Sequence, residues 1–409
     1  VTSHIMEGEE QTSHIRINEV LLLFFTYVER FQFKKAALLL RTKSSDVEME
    51  RSLLLLVQPL LLFVASENIY CSLSFFSFDA DAKIQFNELH KRLLTSLNHL
   101  IGVFDNISAS EEGKTGEEVK YFSLLIKEMC ILVNMRKTLV ALYRGFQRKD
   151  ASLPLYEPLL NRFRGIFQQV ATVLDHPLLQ QMKKNFLTEI ETLIKLCRFQ
   201  VALESFDCRG SIDWAHQCRS QIDSWEYKIG KPGLRLHTFA KEIYLVLVSK
   251  LKLYFSIVFK GNHIKAIENL PYGRDYVESL CQFAKAHNAF NVSVLLEPAE
   301  VSEADHYTKL SYWPAVFSYP QSDLPGAQQA VVVSLIRDFV DYLASFPPFP
   351  AHMHDNSLKE TYYVLRIEPR FYLAIILKGD RPQEDVHVHS FMSNLSKHMQ
   401  HQALIDRFK

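Results

Sequence analysis

From about Asn18 to Lys260 the chain is written almost without interruption in helical periods, and after that the writing changes. INEVLLLFFTYVERFQFKKAALLL carries apolar residues on nearly every turn, and RSLLLLVQPLLLFVASENIYCSLSFF repeats the pattern with a kink or interruption expected at Pro59. FNELHKRLLTSLNHLIGVFDNI and KYFSLLIKEMCILVNMRKTLVALYRGF follow, the latter alternating an apolar stripe with Lys and Arg as an amphipathic bundle member does. LYEPLLNRFRGIFQQVATVL leads to a long helix at HPLLQQMKKNFLTEIETLIKLCRFQVALESF, with Asp175 expected as its N-cap and Pro177 in its first turn. SIDWAHQCRSQIDSWEYKI and FAKEIYLVLVSKLKLYFSIVF complete the series. About seven or eight helices with short loops and no intervening strands predict a large antiparallel bundle.

After YVESLCQFAKAHN the apolar residues come in short β-branched and aromatic runs. NVSVLLE, SYWPAVFSYP, TYYVLRI and RFYLAIILKG read as strands, the last two joined by the tight connection EPR as a hairpin. GAQQAVVVSLIRDFVDYLASF is helical at its end, and its start could be a fifth strand. FMSNLSKHMQHQALIDRF is a closing amphipathic helix. The expected fold class is therefore α+β. Residues 1–17 read as a flexible N-terminus whose first residues resemble a vector remnant. Residues 18–265 form the helical bundle, and 270–409 a small α/β domain of roadblock, longin or profilin type with antiparallel strands and a C-terminal helix.

Composition narrows the function. Apolar residues are 48% of the 409, enough for a large core, while Lys+Arg and Asp+Glu balance at 46 each. That balance removes the long-range attraction on which a dedicated nucleic-acid binder depends. The 29 Phe and 17 Tyr fit helix packing and protein surfaces better than any one chemistry, and only 13 Gly leave little for glycine-rich loops. Six scattered cysteines with no CxxC read as reduced core thiols of an intracellular protein. SLLLLVQPLLLFVA spans 14 residues with Gln58 and Pro59 inside it, short of the ~20 of a membrane span, and no apolar signal stretch opens the chain.

Reactive motifs are sparse. There is no P-loop, Rossmann turn, GxSxG elbow, HExxH helix or kinase set. Glu189 and Glu191, at i and i+2 on a helix, point apart. Cys208, His216 and Cys218 lack a fourth zinc ligand at workable spacing, and Asp175–His176 reads as helix capping. Two His-x-His pairs remain: His352 and His354 in AHMHD, expected in a proline-rich loop, and His387 and His389 in VHVHSF before the last helix, with Ser390 or His389 near its N-cap. Four imidazoles converging on one ion would define a metal-dependent hydrolase. With no acid or thiolate companion set evident, the expectation is no catalytic residue, metal or cofactor, and Tyr312, Trp313, Phe346 and Phe349 stand as candidate protein-interaction residues.

Serial features then carry a family resemblance. SENIYCSLSFF, LDHPLL before a long helix, HNAFNVSVLLE, YWPAVFSYP and above all ETYYVLRIEPRFYLAIILKG, with its Arg366–Glu368–Pro369 turn, resemble the KICSTOR subunit two family in order and spacing over residues 18–400, as a divergent member. The resemblance implies a non-enzymatic scaffold subunit, assembled with kaptin, an integrin-alpha FG-GAP repeat protein and the very large seizure-threshold protein. It implies a peripheral place on the cytoplasmic face of the lysosomal membrane. There the scaffold brings the Rag-directed GATOR GTPase-activating complex to its target, restraining the mTOR kinase complex when nutrients run short. The competing expectations are an adaptor for vesicle traffic or for another GTPase system, and the hydrolase.

Overall fold

The computed structural model describes residues 17–43, 51–76, 80–110, 114–145, 156–229, 234–261, 269–298, 313–345 and 347–408. Its helical part comprises α1 (residues 17–29), α2 (Phe33–Lys43), α3 (Arg51–Cys71), α4 (Ala80–Ser110), α5 (Lys114–Gly145), α6 (Tyr156–Val173), α7 (Gln180–Glu204), α8 (Cys208–Ile229), α9 (Arg235–Tyr254) and α10 (Ser256–Gly261). From α2 to α9 successive helices pack side by side, as short connections require. α6 shows how the pattern works. Tyr156, Leu159, Leu160, Phe163, Ile166 and Val170 fall on one stripe and are buried, while the polar residues between them face out. α9 differs in being buried along most of its length, polar His237, Ser249 and Lys250 included.

α3 continues through Pro59 from Arg51 to Cys71, where the sequence led us to expect an interruption or kink. Its Leu54–Cys71 window is long and apolar enough to cross a membrane by length and composition, but half of it is buried in the bundle. Leu56, Leu60, Phe63 and Tyr70 reach the core, and Glu67 pairs with a buried arginine, so this window is a core helix of the bundle. With glycine scarce, several helix ends turn through left-handed non-glycine residues, among them Leu73 and Phe206. The Leu73 side chain is wholly buried, which holds that conformation in place.

Beyond the bundle come α11 (Tyr276–Ala286), β1 (Asn291–Leu296), β2 (Ala315–Tyr319), α12 (Gly326–Asp338), α13 (Val340–Ala344), β3 (Ala351–Asp355), β4 (Glu360–Glu368), β5 (Phe371–Lys378), α14 (Val386–Met399) and α15 (Gln402–Phe408). The five strands form one sheet in the order β2-β1-β5-β4-β3, every neighbour antiparallel. The fifth strand is not AVVVSLI, which lies in α12, but AHMHD, which pairs with β4 from Ala351↔Val364 to Asp355↔Glu360. Val332, Leu335 and Ile336 explain α12: they fall at i, i+3 and i+4 and are buried together, and this outweighs the strand preference of three successive valines.

Both faces of the sheet are covered. Val292, Val294, Tyr363, Leu365, Phe371, Leu373 and Ile375 join the core that runs through the bundle. Leu295, Tyr362, Val364, Tyr372 and Ile376 belong to a second core with Trp313 and the buried side of α12 and α13. Double coverage is why β4 and β5 read as continuous apolar runs with no alternation. The structure is thus a helical region followed by a small antiparallel sheet flanked by helices.

Candidate functional site

Two groups of residues hold chemistry: the histidines around β3, and charged side chains sealed inside the core. AHMHD is an edge strand where the sequence pointed to a loop. On a strand, i and i+2 share a face, so His352 and His354 stand on the same side of β3. They are occupied separately. His352 Nε2 lies 3.1 Å from the Arg381 carbonyl, and His354 Nδ1 lies 3.0 Å from Thr361 Oγ1 and 3.8 Å from Asp380.

His387 and His389 sit inside α14, whose N-cap is Asp385, accepting from the His387 and Val388 amides at 3.0 and 3.2 Å. The sequence placed Ser390 or His389 near that cap. On a helix i and i+2 diverge, and they do here. The His387 ring lies 5.2 Å from that of His287, whereas His389 lies against Phe349 at 5.3 Å and Tyr363 at 6.3 Å. The Tyr363 ring also touches His352 at 5.1 Å, so it stands between the two pairs. Among the described residues no group of three His, Cys, Asp or Glu side chains is placed to hold a metal. Cys218 is buried and His216 exposed on opposite sides of α8, which disposes of the DCRGSIDWAHQC cluster. All six cysteines are free thiols.

Of the four candidate interaction residues, Tyr312 and Phe346 lie outside the described residues. Trp313 is buried, with its ring 5.4 Å from Tyr372 in the second core. Phe349 is 56% exposed. The helix cap at the start of α7 also differs from expectation. His176, not Asp175, caps the 3₁₀ turn Pro177–Leu179, its Nδ1 accepting from the Leu178 amide at 3.2 Å. The Asp175 and His176 amides donate to the buried carboxylate of Glu128 at 2.8 to 3.1 Å. Burial pushes the His176 imidazole down to about 4.

Sequence reasoning did not find the two sealed charge clusters. In the first, Arg136 of α5 reaches Glu67 of α3 at 3.1 Å and Glu189 of α7 at 2.7 Å, with its guanidinium between the Tyr70 and Phe186 rings. Tyr70 and Tyr143 both donate to Glu189. Burial holds both phenols well above their ordinary range, keeping them protonated donors, and raises the Glu67 carboxyl against the pull of Arg136.

The second cluster joins bundle to sheet. Lys250 of α9 donates to Glu368 at the end of β4 at 2.5 Å and to Gln200 of α7 at 2.9 Å. The Gln200 amide donates in turn to Glu368 at 2.8 Å and Glu204 at 2.9 Å. Beside it Tyr254 stacks on Phe371, centroids 3.9 Å apart. Burial, then the Glu368 charge, pushes the Glu204 carboxyl up to about 8.

This gives the Arg366–Glu368–Pro369 turn a physical meaning. The pairing of β4 with β5 shifts register between Arg366 and Glu368. Arg366 clasps the Pro369 carbonyl, while Glu368 turns inward to Lys250. The signal that could have found Lys250 was a lysine inside an apolar helix with no room for solvent around it.

The family model described as KICSTOR complex C12orf66 like matches residues 13–409. The chain belongs to that family. The "KICSTOR subunit 2" of Xenopus laevis is 20% identical over 426 aligned residues, covering 92% of this chain and 93% of that protein. The "KICSTOR subunit 2" of Danio rerio is 21% identical over 416, covering 92% of each. The family is one of a KICSTOR-complex component, and among the described residues of this chain no His, Cys, Asp or Glu group is assembled to hold a metal.

Proposed function

We propose that this chain is a scaffold subunit of a KICSTOR-like complex, working through large protein surfaces at the cytoplasmic face of the lysosome. The observation that carries the reading is a family match along almost the whole chain, bundle and sheet together, at an identity low enough for architecture to be what persists. Its partners are the other KICSTOR-type subunits and, through them, the Rag-directed GATOR complex. Its effect is to restrain mTOR signalling when nutrients are limiting. No cofactor, nucleic acid or membrane span enters this role, and attachment to the lysosome is through partners. The sheet domain is a platform of longin type. The antiparallel order β2-β1-β5-β4-β3, with two helices between β2 and β3 and two after β5, supports that assignment.

The test is affinity purification of the tagged chain from its own cells, with mass spectrometry of what co-purifies. Kaptin-like, FG-GAP repeat and seizure-threshold-type subunits in stoichiometric amounts are the expected result. Recovery of coat or tether components in their place would transfer the chain to vesicle traffic.

A further inference from the structure

The two long helices α4 and α5 hold a pocket of about 410 Å³ between them, within the roughly 300–1,000 Å³ that small-molecule sites occupy. Asn87, Lys91, Leu94, Thr95 and Asn98 line it from α4, and Lys137 lines it from α5. Asn87, Lys91, Leu94 and Asn98 recur at i, i+4, i+7 and i+11, so one helix face carries them, with Thr95 beside it. Leu94 alone is apolar, and no lining side chain is acidic. Among the described residues neither Lys91 nor Lys137 pairs with a carboxylate. Asn98 Oδ1 accepts from the Cys130 thiol at 3.8 Å, which leaves the amide N–H groups of Asn98 for a ligand.

The charge around the pocket is positive. From Asn87 to Asp105 on α4 and from Lys120 to Gly145 on α5 the carboxylates are Glu88, Asp105 and Glu128. Asp105 is held by Lys127 at 2.9 Å, and Glu128 is buried under the Asp175 and His176 amides. Glu88 stands outside the lining, and Arg92 one turn further on offsets it. His90 is buried and met at both ring nitrogens, by the Phe86 carbonyl at 3.2 Å and Ser66 Oγ at 3.3 Å. Lys91 and Lys137 therefore share one hollow as uncompensated positive charges.

We propose that this pocket binds a phosphate-bearing polyol, an inositol or sugar phosphate, with Lys91 and Lys137 on the phosphate oxygens and Asn87, Thr95 and Asn98 on the hydroxyls. An ammonium group meets phosphate as a point charge with three donors. Carboxamide and hydroxyl side chains both give and accept hydrogen bonds, as a polyol requires. A single leucine offers little for a peptide's apolar side chains to bury against, which favours the polyol over a phosphorylated protein segment. The ligand is either free in solution or the headgroup of a lipid. The inference stands on the pocket alone and goes beyond the scaffold reading.

The probe is inositol trisphosphate, titrated calorimetrically into the full chain at physiological salt. One molecule per chain is expected. Lys91→Gln/Lys137→Gln weakens binding at least about ten-fold. Lys184→Gln/Lys241→Gln removes equal charge from exposed positions on α7 and α9 and weakens it no more than about two-fold. Both double variants keep the parent's thermal midpoint, because all four lysines are exposed. Slowed amide exchange at residues 87–98 of the parent on adding the trisphosphate reports the site without any substitution. Flotation with phosphatidylcholine vesicles, with and without phosphatidylinositol bisphosphate, distinguishes the two sources. Recovery that needs the phosphorylated lipid and is lost in Lys91→Gln/Lys137→Gln assigns the headgroup, and binding in solution without flotation assigns the free phosphate. Absence of saturation, several molecules per chain, equal losses in the two double variants, or tighter binding of a phosphoserine peptide overturns the proposal.

Discussion

Replacing Lys250 by Met is expected to destabilise the chain more than any cavity argument allows. The Lys250 side chain is fully buried and that of Glu368 is 3% exposed, so removing the ammonium leaves a carboxylate without solvent or counter-charge. Gln200 then keeps its amide contact to Glu368 but loses the donor to its carbonyl. Breaking one side of a buried pair costs about 3–5 kcal/mol. At about 2.1 cal/mol/K of unfolding entropy per residue, that cost lowers the melting temperature of a chain this long by roughly 3–6 °C. Glu368→Gln alone costs a similar amount, because it strands the lysine.

The informative variant is the pair Lys250→Met/Glu368→Gln. Both charges are gone, and the new amide can still bond Gln200. Replacing a buried ion pair by neutral groups of similar volume is close to neutral, so the double variant should lie within about 1 kcal/mol of the parent. The assay is thermal unfolding by far-UV ellipticity for parent, two singles and double. If Lys250→Met melts with the parent, or the double variant loses the sum of the singles, the pair does not hold the sheet on the bundle as argued.

Arg136→Leu leaves Glu67 and Glu189 facing each other in the core, and a loss of at least about 3 kcal/mol is expected in urea unfolding. Glu204, pushed up to about 8 in the folded chain, holds its proton there at pH values where the unfolded chain has released it. Its contribution is therefore complete below the ordinary carboxylate value and lost as pH rises through about 8, so the melting temperature should fall between pH 5 and 8 and fall less in Glu204→Gln. Trp313→Ala should cost about 3–5 kcal/mol as a core deletion, and Phe349→Ser no more than about 0.5 kcal/mol; equal losses by thermal melting would refute the assignment of one to the core and the other to the surface. Elemental analysis of protein purified without a His tag or chelating resin should find no stoichiometric zinc. A single tight metal lost with His387→Ala/His389→Ala would revive the hydrolase.

The long helices were legible because their burial is periodic, as α6 shows with one stripe buried and the rest wet. β4 and β5 were legible because double coverage makes them uniformly apolar. β3 was not. Its residues are His-Met-His between Ala and Asp, and only pairing with β4 makes them a strand, a non-local condition that no window of sequence contains. The same non-locality hid the charge clusters. Glu67, Arg136 and Glu189 look like the polar stripes of three separate amphipathic helices until packing turns them towards one another.

Both clusters share α7, and this bears on why the chain keeps ions in its core. Glu189 and Gln200 stand on α7 about three turns apart and so on nearly the same face. Through Glu189 that face fixes α3 and α5, and through Gln200 it fixes α9 and the end of β4. Burying these groups costs desolvation that well-packed leucines would not incur, so stability alone does not account for them. Direction does. An apolar contact between helix and sheet tolerates sliding, whereas a lysine bonded at once to a glutamine on α7 and a glutamate on β4 permits one seating only. The Lys250 cluster thereby sets the angle at which the sheet sits on the bundle.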